Sequence, residues 1–192
     1  PADVLQQVQE RVAEGFKEVV LTGVHIGAYG RDSAPDAPPS AQDGWNLARL
    51  VKLLLDQTMV PRLRISSVEP QDITDELLEL WPNARLCRHL HLPLQSGSDQ
   101  VLRRMGRRYA RDQVVRLVAA IRRREPEMAI TTDIITGFPG ETDAEHRETT
   151  ELVQSLELAR LHVFAYSPRP GTLAATMPDQ VPPEITRQRS QQ

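Results

Sequence analysis

Apolar residues recur along the chain with two alternating periods, one typical of helices and one typical of buried strands. Positions three and four apart predict a first helix that ends at Gly15, a second helix over 47–55 and later helices from about Arg111 and over 143–157. Short apolar runs between the helices predict five strands, at 18–22, 62–68, 86–94, 128–136 and 161–165. Strands and helices in this alternation predict an α/β fold with a parallel sheet and right-handed crossovers.

Polar residues inside the predicted strands distinguish between the architectures that fit this alternation, a doubly wound sheet and a barrel. Ser67 and Asp133 lie within strands, and His89 and His91 share one face of the alternating segment 86–94. Polar side chains inside strands favour a barrel whose lumen is a working site over a plain apolar core.

Small and polar residues also follow each predicted strand. The five loops concerned are Thr22–Val24, Ser66–Pro70, Gln95–Asp99, Thr136–Glu141 and Tyr166–Thr172. In parallel α/β proteins the loops that follow the strands lie on one rim, where ligands bind. We therefore expect these loops to converge on one ligand.

The turn after the fourth strand has the strongest local signature. The sequence TTDIITGFPGET predicts a buried strand, a tight turn and a helix start, with Thr142 and Glu145 forming a capping box. Gly137 and Gly140 bracket the turn, and glycine allows a flat ligand to approach the backbone closely.

Composition narrows the class of protein. The chain has 192 residues, 40% of them hydrophobic, which is enough for one domain with a sizeable core. No apolar run approaches the roughly 20 residues that span a bilayer. The single cysteine, Cys87, excludes an internal disulfide framework, fits a cytoplasmic protein and is expected to be a small buried apolar residue. The segment 31–44 is expected to be a variable loop, and the proline-rich tail from Ser167 a linker.

Arginines cluster after the third strand although the net charge is −3. Five lie within 103–111, and three more follow at 122–124. Two interpretations are open, a solvated helix face and a patch that contacts phosphates. The second predicts RNA contacts by Arg103, Arg104 and Arg108.

The ordered motifs LTGVHIGAYG, RISSVEP, HLPLQSGSDQVLRRMGRRY, DIITGFPGET and YSPRPGTLA carry a family resemblance. Together they resemble the radical S-adenosylmethionine (SAM) core of the methylthiotransferases that modify tRNA, from about Pro1 to Ala174. The first two motifs look most like the branch that acts on N6-threonylcarbamoyladenosine beside the anticodon.

This resemblance implies a transferase that uses SAM in two ways. One molecule supplies a methyl group, and another is cleaved at a [4Fe–4S] cluster to give a 5′-deoxyadenosyl radical, which activates C2 of adenine for sulfur insertion. The cofactors carry that chemistry, while the protein positions them and excludes water. The implied partners are tRNA, a sulfur donor and an electron donor, with no membrane.

The resemblance also assigns roles in binding SAM. Thr22 and Gly23 match the loop that holds the methionine amino group. Gln95, Ser96 and Ser98 match the loop that faces the ribose and the carboxylate.

Two further motifs are implied to meet the adenine of SAM. Ile135, Gly137 and Glu141 match a turn whose backbone packs on that base. Tyr166 and Ser167 match the strand end that contacts its edge.

Arg107, in the pattern Met105–Tyr109, is a candidate partner for the methionine carboxylate, since a guanidinium fork matches that group. Asp133 is a candidate catalytic residue; it either contacts the ligand or orients a neighbouring group.

The chain departs from the family in its cysteines. The resemblance places a CxxxCxxC cluster loop just upstream of Pro1, and the lone Cys87 cannot replace three thiolates. The expected fold is therefore a partial (β/α)6 TIM-type barrel, strands two to six, over residues 1–174. Residues 175–192 are expected to be a linker towards a C-terminal RNA-binding domain. The fragment alone is expected to be inactive and to expose the edge that strand one would cover.

Alternatives stay open at this point. His89 and His91 either line the lumen or form a metal pair, and His25 either supports the site or lies at the surface. A non-catalytic tRNA-binding barrel and a radical SAM enzyme that modifies a protein side chain are the competing functions. An aldolase-type barrel is disfavoured because the two lysines, Lys17 and Lys52, do not follow strands.

Overall fold

The computed structural model describes residues 1–31 and 44–192, so most of the predicted loop 31–44 lies outside the described residues. These residues form two compact units. The first comprises Pro1–His91 with Ile121–Met128, and the second comprises Leu92–Ala120 with Ala129–Gln192. In both units strands pair in parallel, as the sequence predicts.

Within the described residues, the first unit contains a parallel strand pair and three α-helices. Its elements are α1 (Ala2–Ala13), β1 (Glu18–Leu21), a 3-10 turn (Ile26–Ala28), α2 (Leu47–Gln57), β2 (Arg62–Ile65), a second 3-10 turn (Pro70–Asp72), α3 (Asp75–Leu78) and β3 (His89–His91). β1 and β2 pair in register from Glu18 opposite Arg62 to Leu21 opposite Ile65. β2 and β3 are shorter than the predicted strands 62–68 and 86–94. Isolated parallel bridges, from Leu63 to Leu86 and from Ser67 to His91, continue the pairing.

Local signals explain where α2 begins and which side it buries. The Asn46 Oδ1 accepts a hydrogen bond from the Arg49 N–H at 2.8 Å, and this cap satisfies an otherwise unpaired donor of the first turn. The helix then buries an apolar stripe, namely Leu47, Ala48, Leu50, Val51, Leu54 and Leu55. Burial of that stripe against the unit supplies most of the stability of this helix.

Trp81 and Cys87 lie together in the core of the first unit. The Trp81 side chain is 2% exposed, and its Nε1–H donates to the Cys87 carbonyl oxygen at 2.9 Å. Cys87 is 8% exposed, as expected for a small apolar residue. Leu86 beside it is fully buried, so this stretch packs tightly although it is not assigned to a strand.

Glu18 joins β1 to β2 through two arginines of the neighbouring strand. Its two carboxylate oxygens accept from Arg64 Nε at 2.6 Å and Arg62 Nε at 2.7 Å. These hydrogen bonds, the one from Arg64 first, lower the pKa of Glu18 to about 2. A carboxyl with a lowered folded-state pKa stabilises the fold above its unfolded pKa and loses that contribution as the pH falls towards the folded value.

We expect Glu18→Gln to lower the free energy of unfolding at pH 7 by about 1 kcal/mol, a modest value because the pair is partly exposed. The same substitution should flatten the acid loss of stability between about pH 5 and pH 2. Urea denaturation at several pH values measures both effects. The exposed Glu79→Gln is the control, and an identical pH profile for the two variants would contradict the prediction.

The second unit also contains a parallel strand pair. Its elements are α4 (Asp99–Arg104), α5 (Arg111–Arg124, whose last turn belongs to the first unit), β4 (Ala129–Thr136), α6 (Asp143–Ser155), β5 (Arg160–Ala165), α7 (Leu173–Thr176) and α8 (Pro183–Ser190). β4 pairs with β5 from Thr131 opposite Arg160 to Thr136 opposite Ala165. The predicted capping box is confirmed: the Glu145 N–H donates to Thr142 Oγ1, and the Thr142 N–H donates to Glu145 Oε2.

Two parts of the second unit differ from what composition suggests. Every residue of β5 is exposed, including Val163 at 42% and Phe164 at 53%. In the tail, where prolines predict a linker, α7 and α8 form, and Thr186 and Arg189 of α8 are buried. The tail therefore packs against its own unit, while the domain boundary at residue 174 stays a prediction. Among the residues that the structure describes, no helix is both long and apolar enough to cross a bilayer.

Candidate functional site

A cavity of about 440 Å³ lies at the carboxyl ends of β4 and β5, a size typical of sites for small molecules. It is lined by Gln95, Asp133, Ile135, Phe164, Ala165, Tyr166, Ser167, Arg169, Thr172 and Ala174. Five of these residues are predicted site residues: Gln95, Asp133, Ile135, Tyr166 and Ser167. The cavity therefore unites residues from three of the five predicted loops and strand ends.

Polar and aromatic groups stand close together in this cavity. Asp133 Oδ1 lies 3.2 Å from His162 Nδ1, across the β4–β5 pair. The Tyr166 ring packs edge-on against Phe138, with 5.5 Å between the ring centroids. The Tyr166 hydroxyl is buried and has no hydrogen-bond partner among the described residues. A buried polar atom in that state is costly, so this hydroxyl fits a ligand group that would complete its hydrogen bonding.

Gln95 enters the cavity on an unusual backbone. Its φ is +65°, a left-handed value that few residues other than glycine adopt. The Gln95 N–H donates to the Asp133 carbonyl at 2.8 Å, and the Ile135 N–H donates to the Gln95 carbonyl at 2.9 Å. Two hydrogen bonds to β4 hold this conformation, and such conformations cluster at ligand sites.

The loop after Gln95 is fastened to α6. The Gly97 N–H donates to Thr149 Oγ1 at 2.9 Å, and Ser96 Oγ lies 3.1 Å from the same hydroxyl. A Cβ on Gly97 would lie 2.6 Å from the Thr149 Cα, so only glycine fits. Ser96 and Ser98 are buried in this packing and do not line the cavity, so their predicted contacts with SAM stay predictions.

The turn after β4 has the expected left-handed glycines, Gly137 at φ +74° and Gly140 at φ +73°. The expected room for a ligand at Gly137 is instead taken by the Thr186 side chain, which would collide with a Cβ there. Glu141 is also occupied within the protein, since its Oε2 accepts from the Gly137 N–H at 2.7 Å and it is 5% exposed. Neither Gly137 nor Glu141 lines the cavity.

The Gly-rich loop after β1 belongs to the first unit. Thr22 and Gly23 are exposed there, and their contacts with the methionine amino group stay predictions. His25 Nε2 lies 2.6 Å from Asp72, whose side chain is fully buried and also accepts from Arg31 Nη1 at 2.6 Å. His25 thus supports the conformation of this loop from a partly exposed position.

His89 and His91 both lie on β3 and are half-buried, as their alternation predicts. Burial lowers the pKa of His89, and the nearby charge of Arg64 and the neighbouring His91 lower it further. These effects favour the uncharged imidazole of His89.

The arginines of the segment 103–111 differ in how exposed their side chains are. Arg103 and Arg108 are exposed, whereas Arg107 is half-buried. Arg104 is bound within the protein, since its Nη2 donates to both Glu145 oxygens at 2.9–3.0 Å and to the Gly140 carbonyl at 3.1 Å. Burial by itself would raise the pKa of Glu145, but the hydrogen bonds from Arg104 and Thr142 hold that pKa below its usual value. Arg104 therefore has a structural role that the sequence does not reveal.

Sequence reasoning missed five residues of the cavity: Phe164, Ala165, Arg169, Thr172 and Ala174. Arg169 and Thr172 belong to the motif YSPRPGTLA, to which only Tyr166 and Ser167 contributed predicted contacts. Arg169 is exposed and its guanidinium is not bound by any described residue, so it offers a positive charge beside the cavity. The signal that could have identified it is a cation placed just after a strand end.

The fold is thus an α/β protein with a cavity at two of its strand ends, and apolar and polar side chains both line that cavity. The chain belongs to the radical SAM superfamily, whose sequence profile matches residues 1–153. The cofactors that the resemblance implies, SAM and a [4Fe–4S] cluster, are those of this superfamily.

Relatives with assigned activities confirm the resemblance to tRNA methylthiotransferases. The chain is 44% identical to the threonylcarbamoyladenosine tRNA methylthiotransferase MtaB of Thermotoga maritima, over 96% of this chain and 40% of the relative. It is 40% identical to MtaB of Bacillus subtilis, over 98% of this chain and 40% of the relative. It is also 40% identical to a tRNA-2-methylthio-N6-dimethylallyladenosine synthase of Mycobacterium marinum, over 98% of this chain and 37% of the relative. The chain thus spans about two-fifths of the length of these relatives.

Solved structures confirm the predicted fold class. The radical SAM enzyme HemN, a coproporphyrinogen III oxidase of Escherichia coli, is similar with a TM-score of 0.68 at 22% identity, over 99% of this chain and 43% of that one. The radical SAM methyltransferase TsrM of Kitasatospora setae is similar with a TM-score of 0.62 at 19% identity, over 85% of this chain and 30% of that one. TsrM was solved with a [4Fe–4S] cluster bound.

The two cofactors fit this chain differently. The cavity and the unpartnered Tyr166 hydroxyl suit SAM, because a nucleoside combines an apolar base with hydrogen-bonding edges. A [4Fe–4S] cluster needs several convergent thiolates, and this chain has one cysteine, which is buried. The residues of this chain therefore do not form a cluster site.

Proposed function

We propose that this chain is the core of a tRNA methylthiotransferase and that its cavity binds SAM. The observation that carries the proposal is the coincidence of five motif residues in one cavity, in a chain 44% identical to an enzyme named for that activity. SAM supplies both the methyl group and, with the cluster, the radical. In the whole protein we propose that cysteines elsewhere hold the cluster and that tRNA, a sulfur donor and an electron donor are the partners. The proposed location is the cytoplasm.

The residues of the cavity suggest how SAM would be held. Ile135 and Phe164 supply apolar surface for the adenine, and the Tyr166 hydroxyl would pair with its polar edge. Gln95, fixed by its two backbone hydrogen bonds to β4, would face the ribose. Asp133, held beside His162, is the proposed catalytic or orienting carboxylate.

Roles outside the cavity complete the proposal. Ser96 would hold the loop after Gln95, since its hydroxyl lies 3.1 Å from Thr149 Oγ1 and accepts from the Ser98 N–H. Thr22, Gly23 and Arg107 would bind the methionine end of SAM, and Ser98 would face its ribose and carboxylate. These last four assignments rest on motif resemblance.

The proposed substrate nucleoside is N6-threonylcarbamoyladenosine. The motifs LTGVHIGAYG and RISSVEP support this choice, as do the two relatives named for that nucleoside. The similarity to the M. marinum synthase supports dimethylallyladenosine as the second candidate.

Nucleoside analysis of tRNA tests the function. The whole reading frame would be expressed in a bacterial strain that lacks its own methylthiotransferases, and digested tRNA would be examined by mass spectrometry. Appearance of 2-methylthio-threonylcarbamoyladenosine supports the proposal, and appearance of the dimethylallyl product shifts it to the second candidate. With neither product, tRNA binding would favour the non-catalytic barrel, and a sulfur-modified protein would favour the enzyme acting on a side chain.

Contact of the arginine-rich segment with tRNA gives a separate prediction. Because Arg104 supports α6, the variant should reverse only the exposed Arg103 and Arg108. We expect this double change to glutamate to weaken tRNA binding about tenfold and to reduce the salt slope by about 1–2, from two lost phosphate contacts. Filter binding across a salt series measures both. Reversal of the exposed Arg116 and Arg147 is the charge-matched control, and equal losses in the two variants would assign the effect to net charge.

A further inference from the structure

Arg189 of α8 is a buried cation that joins the C-terminal helix to the turn after β4. It is 7% exposed, and its Nη1 donates to Glu141 Oε2 at 2.8 Å and to the Glu141 carbonyl at 2.9 Å. Its Nη2 donates to Asp143 Oδ1 at 2.6 Å. One guanidinium therefore fastens the end of the turn to the start of α6.

Further contacts fix the same turn from the tail. Thr186 of α8 packs against Gly137, and the Gly140 N–H donates to the Asp179 carbonyl at 2.8 Å. Glu141 links Arg189 to the start of the turn, since the Oε2 atom that accepts from Arg189 also accepts from the Gly137 N–H at 2.7 Å. The tail thus holds both glycines of the turn.

The turn after β4 also contacts residues that line the cavity. Phe138 follows Gly137 directly and packs on Tyr166, and the Tyr166 N–H donates to the Thr136 carbonyl at 2.9 Å. Ile135, two residues before Gly137, lines the cavity together with Tyr166. A shift of the turn would therefore move two of the groups proposed to hold adenine.

We propose that Arg189 is a positioning residue for SAM, which acts through Glu141 and the turn and does not touch the ligand. The proposal deepens the proposed function and rests on SAM being the ligand of this cavity. Arg189 does not line that cavity. Its burial and its three acceptors leave it no role as a surface contact.

The first test compares Arg189→Met with Arg187→Met in the whole chain. Arg187 is an exposed arginine of the same helix. Both variants therefore remove one positive charge from α8, but only Arg189→Met also removes the buried hydrogen bonds. Titration calorimetry with SAM should show binding about tenfold weaker in Arg189→Met, because the three hydrogen bonds that fix the turn beside the cavity are lost. Arg187→Met should bind as the unaltered chain does.

Hydrogen exchange provides a readout that does not need the ligand. The Gly137 amide should exchange at least about tenfold faster in Arg189→Met, because its acceptor Glu141 is no longer fixed. Weakened SAM binding together with this local change supports the proposal. A lower melting temperature with unchanged SAM affinity and unchanged Gly137 exchange would reduce Arg189 to a general stabilising residue and overturn it.

Two outcomes separate this inference from the function on which it rests. If the unaltered chain binds no SAM, the proposal that its cavity binds SAM fails, and the exchange of Gly137 still decides whether Arg189 sets the turn. If Arg189→Met does not fold, Arg189→Lys replaces it, because a single ammonium keeps the charge beside Glu141 but cannot form the fork. Arg189→Lys should also weaken SAM binding and speed Gly137 exchange, each by less than Arg189→Met. Full retention of SAM affinity and of Gly137 protection in this variant would overturn the proposal.

Discussion

Gly97→Ala is expected to destabilise the second unit by about 3 kcal/mol, because overpacking against rigid backbone cannot be relieved by rotating a side chain. A Cβ at this position would lie 2.6 Å from the Thr149 Cα and 2.9 Å from the Glu148 carbonyl oxygen. To make room, the loop must move away from α6 and lose the hydrogen bond from the Gly97 N–H to Thr149 Oγ1. Urea denaturation followed by circular dichroism measures the loss.

Gly106→Ala provides the matched control. Gly106 has φ +70°, but no atom lies within 4 Å of the position of its Cβ, so only backbone strain of about 1 kcal/mol is expected. If both variants lost the same stability, the close packing of the 95–98 loop on α6 would not be what requires glycine at position 97.

Trp81→Ala is expected to cost about 3–5 kcal/mol in the first unit, since it empties a fully enclosed position. Trp81→Phe keeps much of the apolar volume but leaves the Cys87 carbonyl without its indole donor, and about 1–2 kcal/mol is expected. The half-buried Trp45 serves as the comparison, and Trp45→Ala should cost less than Trp81→Ala. Thermal and urea unfolding measure all three, and an equal loss at Trp45 and Trp81 would contradict the burial argument.

The elements that the sequence predicted well are those with local causes. The sequence predicts the strand over 128–136 and the helix that follows because a short apolar run, a glycine turn and a capping box lie within a few consecutive residues. β3 is shorter than its alternating pattern because Pro93 has no N–H to donate and Gln95 turns into a left-handed conformation. The sequence carries no sign of that conformation, because glutamine rarely adopts it.

The parts that were missed depend on contacts between distant residues. Prolines make 175–192 resemble a linker, yet α8 packs because Arg189 finds two carboxylates more than forty residues earlier in the chain. Arg104 belongs to a run typical of a solvated or RNA-binding face, and only the fold brings it to Glu145. The motifs predict five of the ten residues that line the cavity. Arg169 and Thr172 lie in one of those motifs, but only the structure shows that they line the cavity.

The single buried thiol has a practical consequence for studying this chain. Cys87 is the one site at which a maleimide can react, and it does so only when the surrounding structure opens. The labelling rate in native buffer therefore reports how often the core of the first unit opens, with no cysteine to remove and none to introduce. Trp81, hydrogen-bonded to the Cys87 carbonyl, supplies a fluorescence signal from the same place. Thiol labelling of Cys87 and fluorescence of Trp81 therefore give two independent measurements of how often that core opens.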